Sequence, residues 1–509
     1  MFKYIPLLNK KMVNWIKLEK EIFPKEKINL INEIEKNTGI ALHFQDELGN
    51  IKEFSYSGLI EKINEFANLL KNEGVKKGDR VGLFLPKCPE IYFGFLAAIK
   101  LGAIAVPLFE AFQTDGLELR LNRGEVNYLF TTTELSERLK NKPASLKKTF
   151  VIDSGPFRAE LEKQSKDFES VLVNKKDTAM MIFTSSTAGT PVAGIEIPHL
   201  GLVQWIYTAK EVLGLQEESK YWCTAHPAWV TGAIYGVVAP LALGCEVYSI
   251  GGRFQAKEWK EFLIKNKITN IYTAPTALKM LKDDLKKQDL NQIKRICSVG
   301  EALPWSLAEF YEKLGVKIID TYWQTEIGAI VVANLDFKKK ALGKAIGVDI
   351  QVKDGMMIIK TPWPAMMTGI YNHEQMFKDY FEGDLFKTND LAEEKEEYFY
   401  FSGRKDDIIK TSGERVSPLE IENILLKHLA VKESAVIGIP DKEKGQIIKA
   451  FVVLRENKIP DANLKNELSQ FVKNNYAGHA YPKVIEFVDS LPKNNAGKIM
   501  RLKLREDEK

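Results

Sequence analysis

The clearest periodic signal lies at 57–74, where Leu59, Ile60, Ile63, Phe66, Ala67 and Leu70 recur at helical spacing and Gly74 supplies a stop. Directly after it, 80–86 is a continuous apolar run of strand length. Similar runs at 104–109, 127–132, 149–153, 180–184, 270–273, 295–299 and 318–323 alternate with helix-length stretches. Strands that are apolar on both faces and separated by helices predict an α/β class with largely parallel, helix-covered sheets. Past residue 400 the style changes to a short α+β unit, with strands expected at 434–439 and 449–454. One helix there is well marked: Ser417 as cap, Pro418 at the first position and Glu420 completing a capping box. The boundary is expected near 403–407, which divides the chain into 1–403 and 404–509. The charged run 393–397 before it reads as a solvated turn.

Composition narrows the function classes. The 509 residues exceed one ordinary domain and carry enough apolar content, 45%, to build cores around a cleft. Basic and acidic residues nearly balance, 72 against 68. That excludes the strongly positive face that binding to phosphate backbones needs, so no nucleic-acid partner is expected. Cys88, Cys223, Cys245 and Cys297 are scattered without C-x-x-C spacing, which argues for a reducing, cytoplasmic setting and against disulfides or a zinc site. Lysines break every apolar stretch of 1–15, so no signal-peptide core is expected there. The uncharged stretch 229–245 is short and interrupted by Gly232, Gly236, Pro240 and Gly244, so it reads as a buried helix and turn rather than a membrane insertion.

Four segments carry candidate chemistry. Phe183-Thr184-Ser185-Ser186-Thr187-Ala188-Gly189-Thr190-Pro191 follows a strand, and its hydroxyls and backbone N–H groups can wrap phosphate oxygens. Alone, such a stretch is an ordinary turn. No G-x-x-x-x-G-K-[ST] sequence occurs, which removes the P-loop class. Asp320-Thr321-Tyr322-Trp323-Gln324-Thr325-Glu326 ends a strand on a hydroxyl beside a carboxylate, a pair able to hold magnesium and its phosphate oxygens. Thr388-Asn389-Asp390 followed by the charged, glycine-containing stretch 401–415 reads as a hinge. Near the C-terminus, Lys498 follows Gly497 in a loop; a lysine in a basic tail is ordinarily just solvated.

In this order and spacing the segments resemble the adenylate-forming (AMP-binding) superfamily of acyl-CoA synthetases, luciferases and peptide-synthetase adenylation domains. The match runs from about Phe54 onward and is closest to short-chain, acetyl-CoA-synthetase-like enzymes, in phrases such as Gly78-Asp79-Arg80-Val81, Pro107-Leu108-Phe109-Glu110-Ala111-Phe112, Tyr221-Trp222-Cys223-Thr224 and Trp229-Val230-Thr231-Gly232. The resemblance implies a large N-terminal domain with a smaller β-rich subdomain, and a small mobile C-terminal domain. It implies ATP, Mg2+ and coenzyme A (CoA) as cofactors, and a reaction in which a carboxylic acid and ATP give acyl-AMP and pyrophosphate before CoA displaces AMP.

By residue-wise resemblance, Lys498 matches the catalytic lysine, Glu326 the magnesium ligand and Thr325 a phosphate-contacting threonine. Asp390 and Arg404 match the ribose contacts, Arg415 the polyphosphate contact, and Asp320 with Gly300-Glu301-Ala302 the adenine site. Asp406 falls at the hinge, while Ser412 and Gly413 line the pantetheine channel, where only a glycine leaves room for the thiol. Val230, Thr231, Val299 and Trp323 match the acyl pocket of acetate-type enzymes, so acetate or propionate is expected to fit and a fatty acid not; one methylene is worth only about 1–3 kcal/mol. The resemblance also brings a lysine acetyltransferase and deacetylase acting on Lys498 as protein partners.

Several positions depart from that pattern. The phosphate loop has no lysine after Pro191, reading Pro191-Val192-Ala193-Gly194; Ser186 and Ala188 replace a glycine and a hydroxyl residue; Asn389 replaces a glycine; His226 stands at an acidic place; Ala302 replaces a proline and Ala496 a serine. Losing one charge-assisted phosphate contact costs about 1.5–3 kcal/mol, which slows a reaction without abolishing it. An active ligase is therefore expected. The alternatives are a catalytically weak or inactive relative that binds an adenylate or acyl-CoA as a sensor or scaffold, and a ligase with another acid or a carrier-protein acceptor.

Overall fold

The computed structural model describes residues 13–184, 193–405, 407, 409–411, 414–441, 445–475, 481–493, 499–506 and 508. The helix expected after residue 57 runs Tyr56–Asn72. It begins where Ser55 Oγ accepts the Gly58 N–H at 3.1 Å and ends before Gly74, whose φ of +83° turns the chain out of the helix. Its apolar stripe lies against the helix Pro89–Lys100, and Leu59, Ile63, Phe66, Ala67 and Leu70 are all buried.

Among the described residues two large sheets organise the N-terminal part. In the seven-stranded sheet the strands Thr178–Phe183, Ile104–Phe109, Arg80–Leu85, Tyr128–Thr131 and Lys148–Val151 lie side by side and parallel, with two antiparallel strands, Gly194–Pro198 and Gly369–Ile370, closing one edge. In the nine-stranded sheet Ile318–Tyr322, Arg295–Ser298, Asn270–Thr273, Lys220–Cys223, Glu246–Ile250 and Ile40–Gln45 are parallel, again with antiparallel strands at both edges. Buried on both faces by helices, these strands carry the near-continuous apolar runs seen in the sequence. A smaller antiparallel sheet follows, in which Leu385–Lys395 pairs with Met356–Lys360 and Tyr398–Arg404. The C-terminal unit is another five-stranded sheet built on the long hairpin Val431–Asp441 with Gly445–Leu454, covered by the helices Pro418–Leu425 and Ala462–Asn475. The fold is thus mixed α/β with parallel sheets and a separate C-terminal domain.

Two expectations change and a third gains detail. The capping box at Ser417 does not form: Pro418 takes the first helical position, but the Ser417 hydroxyl makes no capping bond. It faces the neighbouring strand instead, 3.3 Å from where a Cβ on Gly403 would stand. The run 393–397 is mostly strand, because Glu393 and Glu394 pair with Tyr400 and Phe399; only Glu396 and Glu397, with φ of +53° and +70°, make the turn. The stretch 229–245 is buried as expected, but its helix Gly232–Val238 is wound as a π-helix. No helix among the described residues is long and apolar enough to cross a membrane, and the four cysteines are free thiols.

One buried titratable group ties stability to pH. His199, 1% exposed, accepts the Leu30 N–H at Nδ1 (3.4 Å), while its Nε2 has no partner among the described residues. Burial pulls its pKa down from the ordinary 6.5 to about 3. The unfolded chain takes up this proton near 6.5 and the folded chain resists it, so the stability held above pH 6.5 drains away as pH falls toward 3, by as much as roughly 5 kcal/mol. Thermal melts from neutral to acidic pH are expected to show a steeper loss for the wild type than for His199→Gln; parallel curves would refute the assignment.

Candidate active site

The site forms where the carboxyl ends of three parallel strands, Asn270–Thr273, Arg295–Ser298 and Ile318–Tyr322, meet the antiparallel hairpin that carries Asp390 and Arg404. In open parallel sheets this edge is where ligands bind, because the loops leaving it diverge into a crevice.

Asp320 is buried at the end of its strand, its carboxylate accepting from Ser298 Oγ at 2.6 Å. Burial outweighs that bond and pushes its pKa up to about 7. Thr321 and Trp323 belong to one polarised chain: the Trp323 indole N–H donates to Tyr272 Oη (3.0 Å), which bonds Thr321 Oγ1 (2.8 Å), which in turn donates to the Ser298 carbonyl (2.6 Å). The indole also stands edge-on to Tyr235 at 5.2 Å, so its plane is fixed from two sides. Val230 and Trp323, both partly exposed, pack on the same apolar cluster that contains Val299; Thr231 immediately precedes the helix carrying Tyr235. Gly300 and Ala302 are exposed, and between them Glu301 accepts from Thr276 Oγ1 at 2.6 Å.

Asp390 is the gathering point of the second half. Its Oδ2 accepts from Tyr322 Oη (2.8 Å) and Gln324 Nε2 (2.6 Å), and its Oδ1 lies 3.6 Å from Arg404 Nε across the hairpin, where the two residues are register partners. Gln324 also donates to the Thr388 carbonyl at 2.9 Å, tying the loop after Tyr322 to this hairpin. Asn389 has φ of +59°, a left-handed turn that asparagine tolerates nearly as glycine does, so that departure leaves the backbone path intact. Two residues past Gln324, Glu326 receives the Tyr380 hydroxyl on Oε1 at 3.0 Å, and burial raises its carboxyl pKa. Thr325 sits half-buried between them.

The structure therefore brings Tyr322, Gln324, Asp390 and Arg404 into one cluster with Glu326 beside it, and Asp320, Thr321 and Trp323 into a second network sharing the same strand end. Thr184 donates to the Ala193 carbonyl at 3.3 Å and closes the base of the Ser/Thr/Gly loop. Ser185, Ser186, Thr187 and Gly189 of that loop, and Asp406, Ser412, Gly413 and Lys498, lie outside the described residues. Arg415 is placed by its backbone, in the strand Glu414–Val416 opposite Lys410. The flanks of Lys498 are described: Lys493 bridges Ile499, and the Arg501 guanidinium contacts Glu422 at 2.6 Å and Asp407 at 3.7 Å. Sequence reasoning did not reach Tyr380, Tyr272 or Ser298, whose roles depend on contacts with residues far along the chain.

This fold and site define a mixed α/β enzyme with its candidate site at the carboxyl edge of a parallel sheet and a separate C-terminal domain. The chain belongs to the AMP-binding enzyme family: the AMP-binding enzyme model matches residues 35–361 and the AMP-binding enzyme C-terminal domain matches 420–498. It is 40% identical to the acetyl-coenzyme A synthetase of Bacillus subtilis (strain 168), over 92% of this chain and 87% of that one, and 32% identical to the acetyl-coenzyme A synthetase of Methanothrix thermoacetophila, over 91% and 79%. Among solved structures it resembles an anthranilate CoA ligase in complex with anthranoyl-AMP, with a TM-score of 0.86 at 27% identity over 95% of this chain and 98% of that chain. It also resembles a benzoate CoA ligase from Burkholderia xenovorans LB400, with a TM-score of 0.84 at 25% identity over 94% and 100%.

Proposed function

We propose that this enzyme joins a short carboxylic acid, acetate or propionate, to CoA through an acyl-adenylate. At the coarser level it is an AMP-forming acid–thiol ligase, an acyl-CoA synthetase that takes a carboxylic acid, ATP and CoA. The observation that carries the site reading is the convergence of Tyr322, Gln324 and Arg404 on the Asp390 carboxylate. It leaves a rigid, buried acceptor at the mouth of the sheet, suited to ribose hydroxyls. Asp320 and Glu301 would flank the adenine, and the hydroxyl loop closed by Thr184, together with Arg415, would face the phosphates.

Magnesium fits the residues present. Glu326 is a carboxylate whose burial raises its pKa and whose Oε1 accepts the neutral Tyr380 hydroxyl, so a cation beside it would stabilise its charged form. A single carboxylate is enough for magnesium, which keeps water and phosphate oxygens for most of its shell. Bound there, magnesium would neutralise charge on the leaving pyrophosphate. Lys498, from the C-terminal domain, would supply the remaining cation between acid and α-phosphate, where two anions must approach. A lysine acetyltransferase and deacetylase acting on Lys498, and a cytoplasmic address, remain part of this reading.

Selection for a small acid rests on Trp323. Its indole is held by Tyr272 and Tyr235 and cannot swing aside without breaking a buried hydrogen-bond chain, so it shortens the space beside Val230, Thr231 and Val299. The sensor reading is not favoured, since a passive binder needs neither a lysine on a separate domain nor Glu326. Acid-dependent exchange of labelled pyrophosphate into ATP is expected with acetate and propionate and to fade with butyrate and branched acids. Strongest exchange with the longer acids would overturn the pocket assignment, and no exchange with any acid would overturn the ligase reading.

A further inference from the structure

Where the family's pattern has an acidic residue, this chain has His226, one of the most constrained side chains next to the acyl pocket. It follows the strand Lys220–Cys223 and is 5% exposed. Its Nδ1 accepts the backbone N–H of Ala228 at 2.9 Å, and its Nε2 lies 2.8 Å from the Glu110 carboxylate. The first contact requires a bare Nδ1, so the neutral ring carries its proton on Nε2, close to Glu110 but not aligned on it as a hydrogen bond.

The turn that begins here presents Val230 and Thr231. The Trp229 N–H donates to the His226 carbonyl at 2.9 Å, and Ala233 N–H donates to the Trp229 carbonyl at 2.9 Å. A Cβ on Gly232 would stand 2.1 Å from the His226 carbonyl oxygen, so the backbone closes on itself as tightly as glycine allows. The Phe109 ring lies 5.2 Å from His226 and 5.4 Å from Trp229, bracing both ends of the turn's first half. Accepting from the N–H two residues on is the bond an aspartate or asparagine makes in an Asx turn. His226 makes it with an imidazole nitrogen, which unlike a carboxylate can also lie against Glu110 without repulsion.

We propose that His226 is a positioning residue for the acyl pocket, and that because its neutral ring holds the turn, recognition of the carboxylic acid depends on pH. This rests on the ligase reading above. Protonating Nδ1 removes the acceptor for Ala228 N–H and sets a donor against a donor, so the turn must shift and carry Val230 and Thr231 with it. The charged groups facing the ring are Glu110, just beyond the strand Ile104–Phe109, and Lys87, just beyond Arg80–Leu85, whose Nζ donates to the Thr224 carbonyl at 2.8 Å. Burial holds the ring's pKa below the ordinary value, with Glu110 pulling it up and Lys87 pulling it down. The neutral, turn-holding form is therefore complete at neutral pH and is lost on the acid side.

Pyrophosphate exchange followed between about pH 8 and pH 5 in the wild type, His226→Asn and His226→Leu tests this. The wild type is expected to lose kcat/KM for the acid on the acid side. In His226→Asn the amide oxygen accepts from Ala228 without titrating, so activity at the upper pH should stay within about threefold of wild type and this acid limb should vanish. His226→Leu should lose roughly a hundredfold in kcat/KM for the acid with the KM for ATP little changed. An acid limb retained in His226→Asn, or equal losses toward acid and ATP, overturns the proposal. Nitrogen-15 NMR of the imidazole, assigned by the signal missing in His226→Asn, should show Nδ1 bare and Nε2 protonated; the other tautomer overturns it whatever the activity. If the wild type exchanges with no acid, the ligase reading fails instead, and the tautomer still decides whether His226 holds the turn.

Discussion

Replacing Lys498 with alanine is expected to lower acyl-adenylate formation by about a hundred- to a thousandfold or more, while thioester formation from supplied acyl-AMP and CoA changes little. The asymmetry follows from where charge collects. In the first half-reaction a carboxylate must approach a phosphorus ringed by anionic oxygens, and the phosphate loop of this chain carries no lysine after Pro191 to share the load. On the proposed reading Asp390 and Arg404 would grip the sugar end, which would leave the reacting end dependent on magnesium, Arg415 and Lys498. In the second half-reaction AMP leaves from an uncharged acyl group, and the same cation has little to neutralise. Measuring pyrophosphate exchange and acyl-AMP thiolysis separately on one preparation decides the matter: equal losses in both would show that Lys498 acts through the folding of the C-terminal domain rather than at the phosphate. The described flanks are anchored by contacts of their own, Arg501 to Glu422 and Asp407 and Lys493 to Ile499 across a bridge.

Much of this architecture was legible because parallel strands announce themselves locally. The runs at 104–109 and 270–273 coincide with strands to the residue, and the others differ by one or two positions at their ends. The capping box at Ser417 did not form, and its hydroxyl lies buried against the strand through Gly403, a neighbour that no local spacing reveals. The π-helix at Gly232–Val238 had no periodic signature, since every residue in it is buried and the pattern has no polar face to count from. At the site, residue types were readable, but their wiring was not. Tyr322 meets Asp390 across 68 positions, Tyr380 meets Glu326 across 54, and Tyr272 meets Trp323 across 51. Such pairs are set by sheet order, which no local spacing encodes. His226 and Glu110 are the sharpest case. The departure at 226 was visible, yet its compensation stands on a strand end of the other large sheet.

Replacing Asp390 with alanine should produce the complementary pattern, a large loss in both half-reactions. The carboxylate accepts from Tyr322 and Gln324 and faces Arg404, so its removal takes away the proposed ribose acceptor together with the buried partner of the Tyr322 hydroxyl and one bond of the Gln324 amide. Bonds to a charged partner are worth about 1.5–3 kcal/mol each, and leaving donors unpaired adds a desolvation cost. The expected fall in kcat/KM for ATP is therefore on the order of a hundred- to a thousandfold. Because AMP would occupy the same cradle while CoA attacks, thiolysis of supplied acyl-AMP should weaken as well, which is where this variant parts from Lys498→Ala. Asp390→Asn separates geometry from charge: an amide oxygen can still accept from Tyr322 or Gln324 but no longer pairs with Arg404, so it should fall between wild type and alanine, chiefly through a raised KM for ATP. A melting temperature that drops in Asp390→Ala with ATP kinetics unchanged would mean that the carboxylate only ties the hairpin to the strand Ile318–Tyr322, and the ribose would have to be held elsewhere.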